Sequence, residues 1–305
     1  LSQTNSVYGG QAVIEGVMFA GRSVHVTAVR RKNNEISFLE VPKTEKGWVR
    51  NLKKIPLLRG LVAIIEASAK GSVHLNFSAE VYAEEEGEVK QEEPSFFGKI
   101  SLYLGVAVVG VLSFVVGKLF FTLMPPAIEY LAFNNLFEGR IYHNLLEGLI
   151  KIIFLVGYIY VISLTPLIKR LFQYHGAEHK VISAYEAGLE LTVRNVQKFN
   201  TLHYRCGSSF IILTVIIGVI IYSFVPYDTF MERIIQRLIL LPVVIGVSYE
   251  ALRITNALRD IPVLRYLGYP GLWLQKLTTK QPEDAQVEVS IASFNRMREI
   301  DMRNA

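Results

Sequence analysis

Four apolar stretches between residues 100 and 247 constrain this chain more than any other feature. They are Ile100–Leu123, closed by Pro125-Pro126, then Leu149–Leu167, Phe210–Val225 and Ile234–Val247. Runs of that length with few charges are what a helix needs to cross a bilayer, where every backbone polar group must be satisfied within the segment. The composition agrees, with 51% of the 305 residues hydrophobic and only 19% charged, more apolar than a soluble chain of this length. The fold predicted is an α-helical integral membrane protein with about four transmembrane helices, plus a small α+β cytosolic domain with an N-terminal β-hairpin. The fourth stretch is the shortest, and Arg237 and Glu250 are expected at its ends.

Lysine and arginine set the expected topology, because basic loops stay on the cytoplasmic side. Arg140 stands alone between the first and second stretches, and Arg233 between the third and fourth. The central connection carries Lys169, Arg170, Lys180, Arg194, Lys198 and Arg205. Both termini and this connection are therefore expected in the cytoplasm, with the lipid bilayer as first partner and membrane proteins or further copies of the chain as others. The amino end, LSQTNSVYGG, does not read as a cleavable signal peptide. A net charge of +5 with no zinc-finger spacing, no DNA-reading helix and no aromatic-basic pattern excludes nucleic acid as the expected partner. One cysteine excludes an intramolecular disulfide framework.

The remaining sequence divides around these stretches. Residues 1–82 read as a cytosolic β-rich cap followed by an amphipathic helix. Alternation through Val24, Val26 and Ala28, then Ile36, Phe38, Leu39 and Val41, predicts a hairpin turning at Asn33-Asn34. GGQAVIEGVMFAG is either a tight strand with glycine turns or a stretch whose glycines bring backbone, and Glu15, close to a site. Arg50, Lys53, Lys54 and Arg59 open a segment too short to span, which reads as interfacial or as buried in the cytosolic domain. Residues 83–95 form an acidic linker. Residues 96–252 are the membrane region, holding the loop 169–208, and 253–305 are a cytosolic tail. In the tail, Tyr269 and Trp273 of GYPGLWLQKLTT resemble interfacial anchors, and Val287, Val289, Ile291 and Phe294 predict a closing amphipathic helix.

Candidate chemistry concentrates in YHGAEHKVISAYE, residues 174–186. His175 and His179 fall one helical turn apart with Glu178 beside them, the H-x-x-E-H order in which two imidazoles chelate a divalent ion and a carboxylate handles the proton of its water. His203 and Cys206 follow as H-Y-R-C. Two ligand sets are open. One uses His175, His179, His203 and Cys206 around a tetrahedral zinc; the other uses His175 and His179 with a distant carboxylate such as Glu250 and leaves a position for water. Glu186 lies too far along the helix to share an ion with His179, which suits a supporting role. Arg205, Arg253 and Arg259 either hold a phosphate or a lipid headgroup, or simply mark the cytoplasmic face.

Four blocks in order, GGQAVIEGVM, YHGAEHKVISAYE, HYRCGSSF and PGLWLQKLTT, resemble the YqhQ-like family of bacterial membrane proteins. That resemblance implies a bacterial cytoplasmic-membrane location and a domain of unknown function described as a predicted metal-dependent enzyme, also found in plastid-bearing lineages. The residues on which such a description would rest are His175, Glu178, His179, His203 and Cys206. The expected function is a zinc-dependent hydrolase at the cytoplasmic membrane surface, with Glu178 as base and Arg205 stabilising developing charge. Alternatives are a non-enzymatic scaffold with a structural metal, and a transporter or channel. Few ionisable residues within the apolar stretches speak against transport.

Overall fold

The computed structural model describes residues 8–44, 47–85, 117, 120–133, 135–136 and 139–304. The amino region forms a four-stranded antiparallel meander, β1 (Gly9–Val13), β2 (Gly16–Ala20), β3 (Val24–Arg30) and β4 (Ile36–Pro42), in the order β1-β2-β3-β4. The predicted hairpin is its β3–β4 half, where Arg30 pairs with Ile36 across the turn. Helices follow: α1 (Gly47–Leu52), α2 (Leu58–Glu85), α3 (Phe120–Phe133), α4 (Arg140–Ser163), α5 (Pro166–Glu186), α6 (Val193–Val196) and α7 (Ser208–Ser223). The chain continues through α8 (Phe230–Ile239), α9 (Leu241–Ala257), a 3-10 turn (Leu264–Gly268), α10 (Tyr269–Thr278) and α11 (Asp284–Arg303).

Strand β3 is buried along nearly its whole length because both of its faces are covered. Val24, Val26 and Ala28 join Val17 and Phe19 of β2 in the main core, against Tyr174, Ala177 and Val181 of α5 and Val287, Phe294 and Met297 of α11. Phe19 meets Phe294 edge to face at 5.0 Å between ring centroids. On the opposite face, Val29 packs with Val13 and Val81 of α2, and Thr27 is hydrogen-bonded to His74 of α2 at 2.6 Å. Asp301 of α11 accepts the backbone N–H groups of Arg22 (2.6 Å) and Ser23 (2.8 Å), fixing the β2–β3 turn to the carboxy-terminal helix.

The expectation of four transmembrane helices is overturned. Among the described residues only α4 is long and apolar enough to cross a membrane, and α8 with α9 would make a second only if the pair, bent by 51°, were one span. The third expected span is α7, with 16 residues. The fourth breaks at Leu240, where Pro242 in the first turn of α9 cannot donate to the preceding turn and α8 ends. The first expected span and the acidic linker lie largely outside the described residues, with residues 120–123 opening α3 and residues 83–85 closing α2. Internal charge is also not scarce: Glu147 of α4 and Arg233 and Arg237 of α8 are buried.

Candidate metal centre

Helix α5 is the rail on which the site is mounted. Pro166 opens it, with φ already set for a helix, and Gly188 at φ 71 closes it. There Leu189 N–H bonds the Ala184 carbonyl and Gly188 N–H bonds the Tyr185 carbonyl, a Schellman ending that satisfies the last turn. One turn of separation brings His175 and His179 together with ring centroids 4.5 Å apart. The segment 201–207, entering α7, brings up His203, Arg205 and Cys206, and β1 passes so close that a side chain at Gly10 would run into Glu178.

His175, His179 and Cys206 offer ligand atoms that all lie within 4.8 Å of one another. The imidazole tautomers follow from their partners. His175 Nδ1 donates to the Thr278 carbonyl at 2.8 Å, and His179 Nδ1 donates to the Thr201 carbonyl at 2.5 Å. A carbonyl can only accept, so in the neutral imidazole form each Nε2 is the atom left with a lone pair for a metal. His175 Nε2 is 3.2 Å from Cys206 Sγ, which also lies 3.0 Å from Ser208 Oγ. Tetrahedral zinc sets neighbouring N and S ligands about 3.6 Å apart, and backbone acceptors on the far nitrogens are the usual support of metal-bound histidines. The donor set therefore fits an ion of the zinc class.

Burial biases the same groups electrically. It lowers the pKa of His179 and of His203, keeping both imidazoles neutral, the form that ligates. It raises that of Glu178, against the opposing pull of His175, His203 and the Gly10 N–H. Glu178 and His179 are 5% and 2% exposed, yet both line a cavity of about 350 Å³ with His175, His203, Arg205 and Cys206.

Other expected residues take different places. His203 is beside the triplet, its ring 5.6 Å from that of His179, and its Nδ1 accepts the Arg205 N–H at 3.4 Å. Arg205 is ion-paired with Glu186, whose carboxylate also lies 3.8 Å from His203 Nε2. Glu186 thus lies beside Arg205 and His203 and not among the three donors. Glu15 is elsewhere: at φ 51 in the β1–β2 turn, it takes both Arg170 bonds at 2.5 Å and one from Tyr174 at 3.2 Å. Glu250 is held by Arg59 (2.6 Å) and the Leu57 N–H (3.3 Å), and neither it nor the exposed Arg253 lines the cavity.

Three contributors escaped the sequence. Gln275, fully buried, accepts the His203 N–H and donates to the His203 carbonyl and Ser209 Oγ, each at 2.8 Å. Thr278 and Thr201 serve through main-chain carbonyls, which leave no trace in residue type. The usable signal was the PGLWLQKLTT block: beside Trp273, read as an interfacial anchor, it supplies Gln275 and Thr278.

Fold and cavity together define a mostly helical protein with a small amino-terminal antiparallel sheet and a candidate metal centre between α5 and the start of α7. The chain belongs to the family described as "Protein of unknown function (DUF1385)", which matches residues 55–300. It is 53% identical over 297 residues to "Uncharacterized protein YqhQ" of Bacillus subtilis (strain 168), covering 96% of this chain and 93% of that protein. No solved structure matches significantly.

Proposed function

We propose that this is a membrane-associated, metal-dependent hydrolase that holds a zinc-class ion with His175, His179 and Cys206 and works at the cytoplasmic surface of a bacterial inner membrane. The observation that carries the reading is the convergence of three donors in an open cavity, with both histidine Nδ1 atoms tied to backbone carbonyls. Three protein ligands beside a cavity suit a catalytic rather than a closed site. Membrane association is supported by α4, where only 22% of the most apolar window is buried and Leu149, Ile153 and Val161 are more than half exposed.

When bound, the ion supplies Lewis acidity and lowers the pKa of water. The chain supplies the rest. Glu178 is the proton carrier: it lines the same cavity, and the Gly10 N–H bond and the crowding of β1 hold its carboxyl in one place. Arg205 brings positive charge to the cavity wall, steadied by Glu186. His203 is locked at its backbone by Gln275 and fixes the loop that carries Cys206.

A second reading has support from one feature, namely that the donors come from α5 and from the start of α7, so an ion would also staple these elements. Elemental analysis of freshly purified wild type, His175→Ala and Glu178→Gln tests both. We expect one ion per chain in wild type and in Glu178→Gln, and its loss in His175→Ala. Wild type without stoichiometric metal would overturn the proposal. A metal-loaded Glu178→Gln that fully complements a strain lacking the protein would remove the hydrolase and leave the staple.

A further inference from the structure

One wall of the metal cavity is built by β1, which is an edge strand. Along one side it pairs with β2, from Gly9 opposite Ala20 to Val13 opposite Gly16, and among the described residues no strand pairs along its other side. Tyr8, Gly10 and Ala12 nevertheless line the cavity together with His175, Glu178 and Cys206.

The direction of the main-chain N–H and C=O groups alternates from one residue to the next along a strand. Gly10 N–H donates to Glu178, and Ile14 N–H donates to Ser78 Oγ of α2 at 3.3 Å, so both point away from β2. Ala12 lies midway between them and therefore turns its own N–H and C=O outward, where nothing bonds them among the described residues. Such a row is a template for one more strand, and sheet edges are ordinarily guarded against this by charge or proline. The opposite edge of the sheet, β4, carries Glu40 and Pro42. The GGQAV of β1 has neither.

On α5 the residues that line the same cavity include Leu171, His175, Glu178 and Ile182, spaced three or four apart and so on one face. From the first of these to the last the helix rises about 16 Å, the length of about five residues of extended chain. We propose that the substrate of the metal centre is a polypeptide, held extended as an added strand on β1; this rests on the hydrolase reading above. Its main chain bonds the outward groups of Ala12 and the Gly10 carbonyl, and its side chains meet Leu171, Phe172 and Ile182. Glu178, tied to the Gly10 N–H, stands at the edge where that strand lies. In the cleavage the oxygen of water joins the peptide carbonyl carbon as the C–N bond breaks. Glu178 takes one proton from the water and gives it to the leaving nitrogen, so the products are a carboxylic acid and an amine, which ionise in water.

The test uses the full chain in a nonionic detergent, with fluorescein-labelled β-casein, an unfolded protein, as probe. Anisotropy with Glu178→Gln reads binding, mass spectrometry of new amino termini with wild type reads cleavage, and elemental analysis reads the metal. We expect saturable binding, and cleavage by metal-loaded wild type. Ala12→Pro removes the outward N–H at a position where an edge strand accepts proline. Added to Glu178→Gln it weakens binding at least tenfold, with melting temperature and metal content kept, whereas Ala12→Ser, which retains the N–H, binds as before. A second measurement needs no folded variant: the shortest casein peptide that competes is N-methylated at every other residue, in either of the two alternating sets. One set loses competition at least tenfold and the other keeps it, because only alternate residues of an added strand face β1. Metal-loaded wild type that neither binds nor cleaves casein, equal competition by the two N-methylated sets, or undiminished binding by folded Ala12→Pro would overturn the inference and leave the hydrolase standing. Wild type without stoichiometric metal would overturn both.

Discussion

Replacing Gly176 by alanine is the most searching test of how α5 is tied to the rest of the site. The helix packs there directly on the segment after α10. A Cβ at position 176 would fall on the Lys280 carbonyl oxygen, well inside the 3.0 Å that real Cβ atoms essentially never show, and 3.1 Å from Thr201 Cγ2. Backbone has no flexible end to swing aside, so the segment itself must retreat. Overpacking of this kind costs about 1–3 kcal/mol. Retreat also weakens the bond from Lys280 N–H to the Phe172 carbonyl, about 0.5–1.5 kcal/mol, and the better helix propensity of alanine returns about 1 kcal/mol. The net expectation is a destabilisation of about 1–3 kcal/mol. Thr278, two residues before Lys280, and Thr201 provide the carbonyls that anchor His175 and His179, so affinity for the proposed zinc-class ion should fall roughly 10- to 100-fold. Gly157→Ala in α4, where nothing lies within 4 Å, is the control and should be neutral or slightly stabilising. Thermal unfolding with chelator competition reads both quantities. A Gly176→Ala protein with wild-type melting temperature and wild-type zinc retention would refute the reasoning.

Two further outcomes follow from buried polar groups. Gln275→Leu strips the His203 N–H and carbonyl of their partner; we expect a loss of about 1–3 kcal/mol and faster amide exchange at His203, and unchanged exchange there would exclude the clamp. His25 is buried with neither ring nitrogen hydrogen-bonded among the described residues, and burial lowers its pKa from 6.5 to about 4. The unfolded chain then binds the proton first, so stability is full above pH 6.5 and is lost as pH falls toward 4, by up to about 3 kcal/mol. In His25→Phe that part of the pH dependence of denaturant unfolding should vanish, and an identical pH profile would count against it.

How much was legible depends on how local each determinant is. His175 and His179 were readable because one helical turn sets their spacing, and Cys206 because its type is unique in the chain. Glu15 and Glu250 carried the right chemistry to the wrong place, since their arginine partners stand 155 and 191 residues away. The hairpin was visible as alternation and the glycine-bracketed stretch before it as a tight strand with glycine turns, but its division into β1 and β2 was not, because β2 is buried at four of five positions and its apolar run has no period to read. The membrane count failed for a related reason. Apolar length cannot distinguish a lipid-facing helix from one that packs on its neighbours, and α7 sits between α4, α9 and α10. Arg233 and Arg237 looked like span ends because their acceptors, Glu129 and Glu147, lie in other helices.

The clasp of Asp301 on Arg22 joins residues 279 apart in sequence, and this has a consequence for how the chain emerges from the ribosome. At about 5–20 residues per second, the sheet waits roughly 15 to 55 s for the helix that covers it. Throughout that interval Phe19 and Val26, fully buried in the finished protein, have no α11 to lie against. Until translation passes α11 the sheet has only α5 on that face, and a release delayed just short of Asp284 would leave it partly open and prone to association with its neighbours.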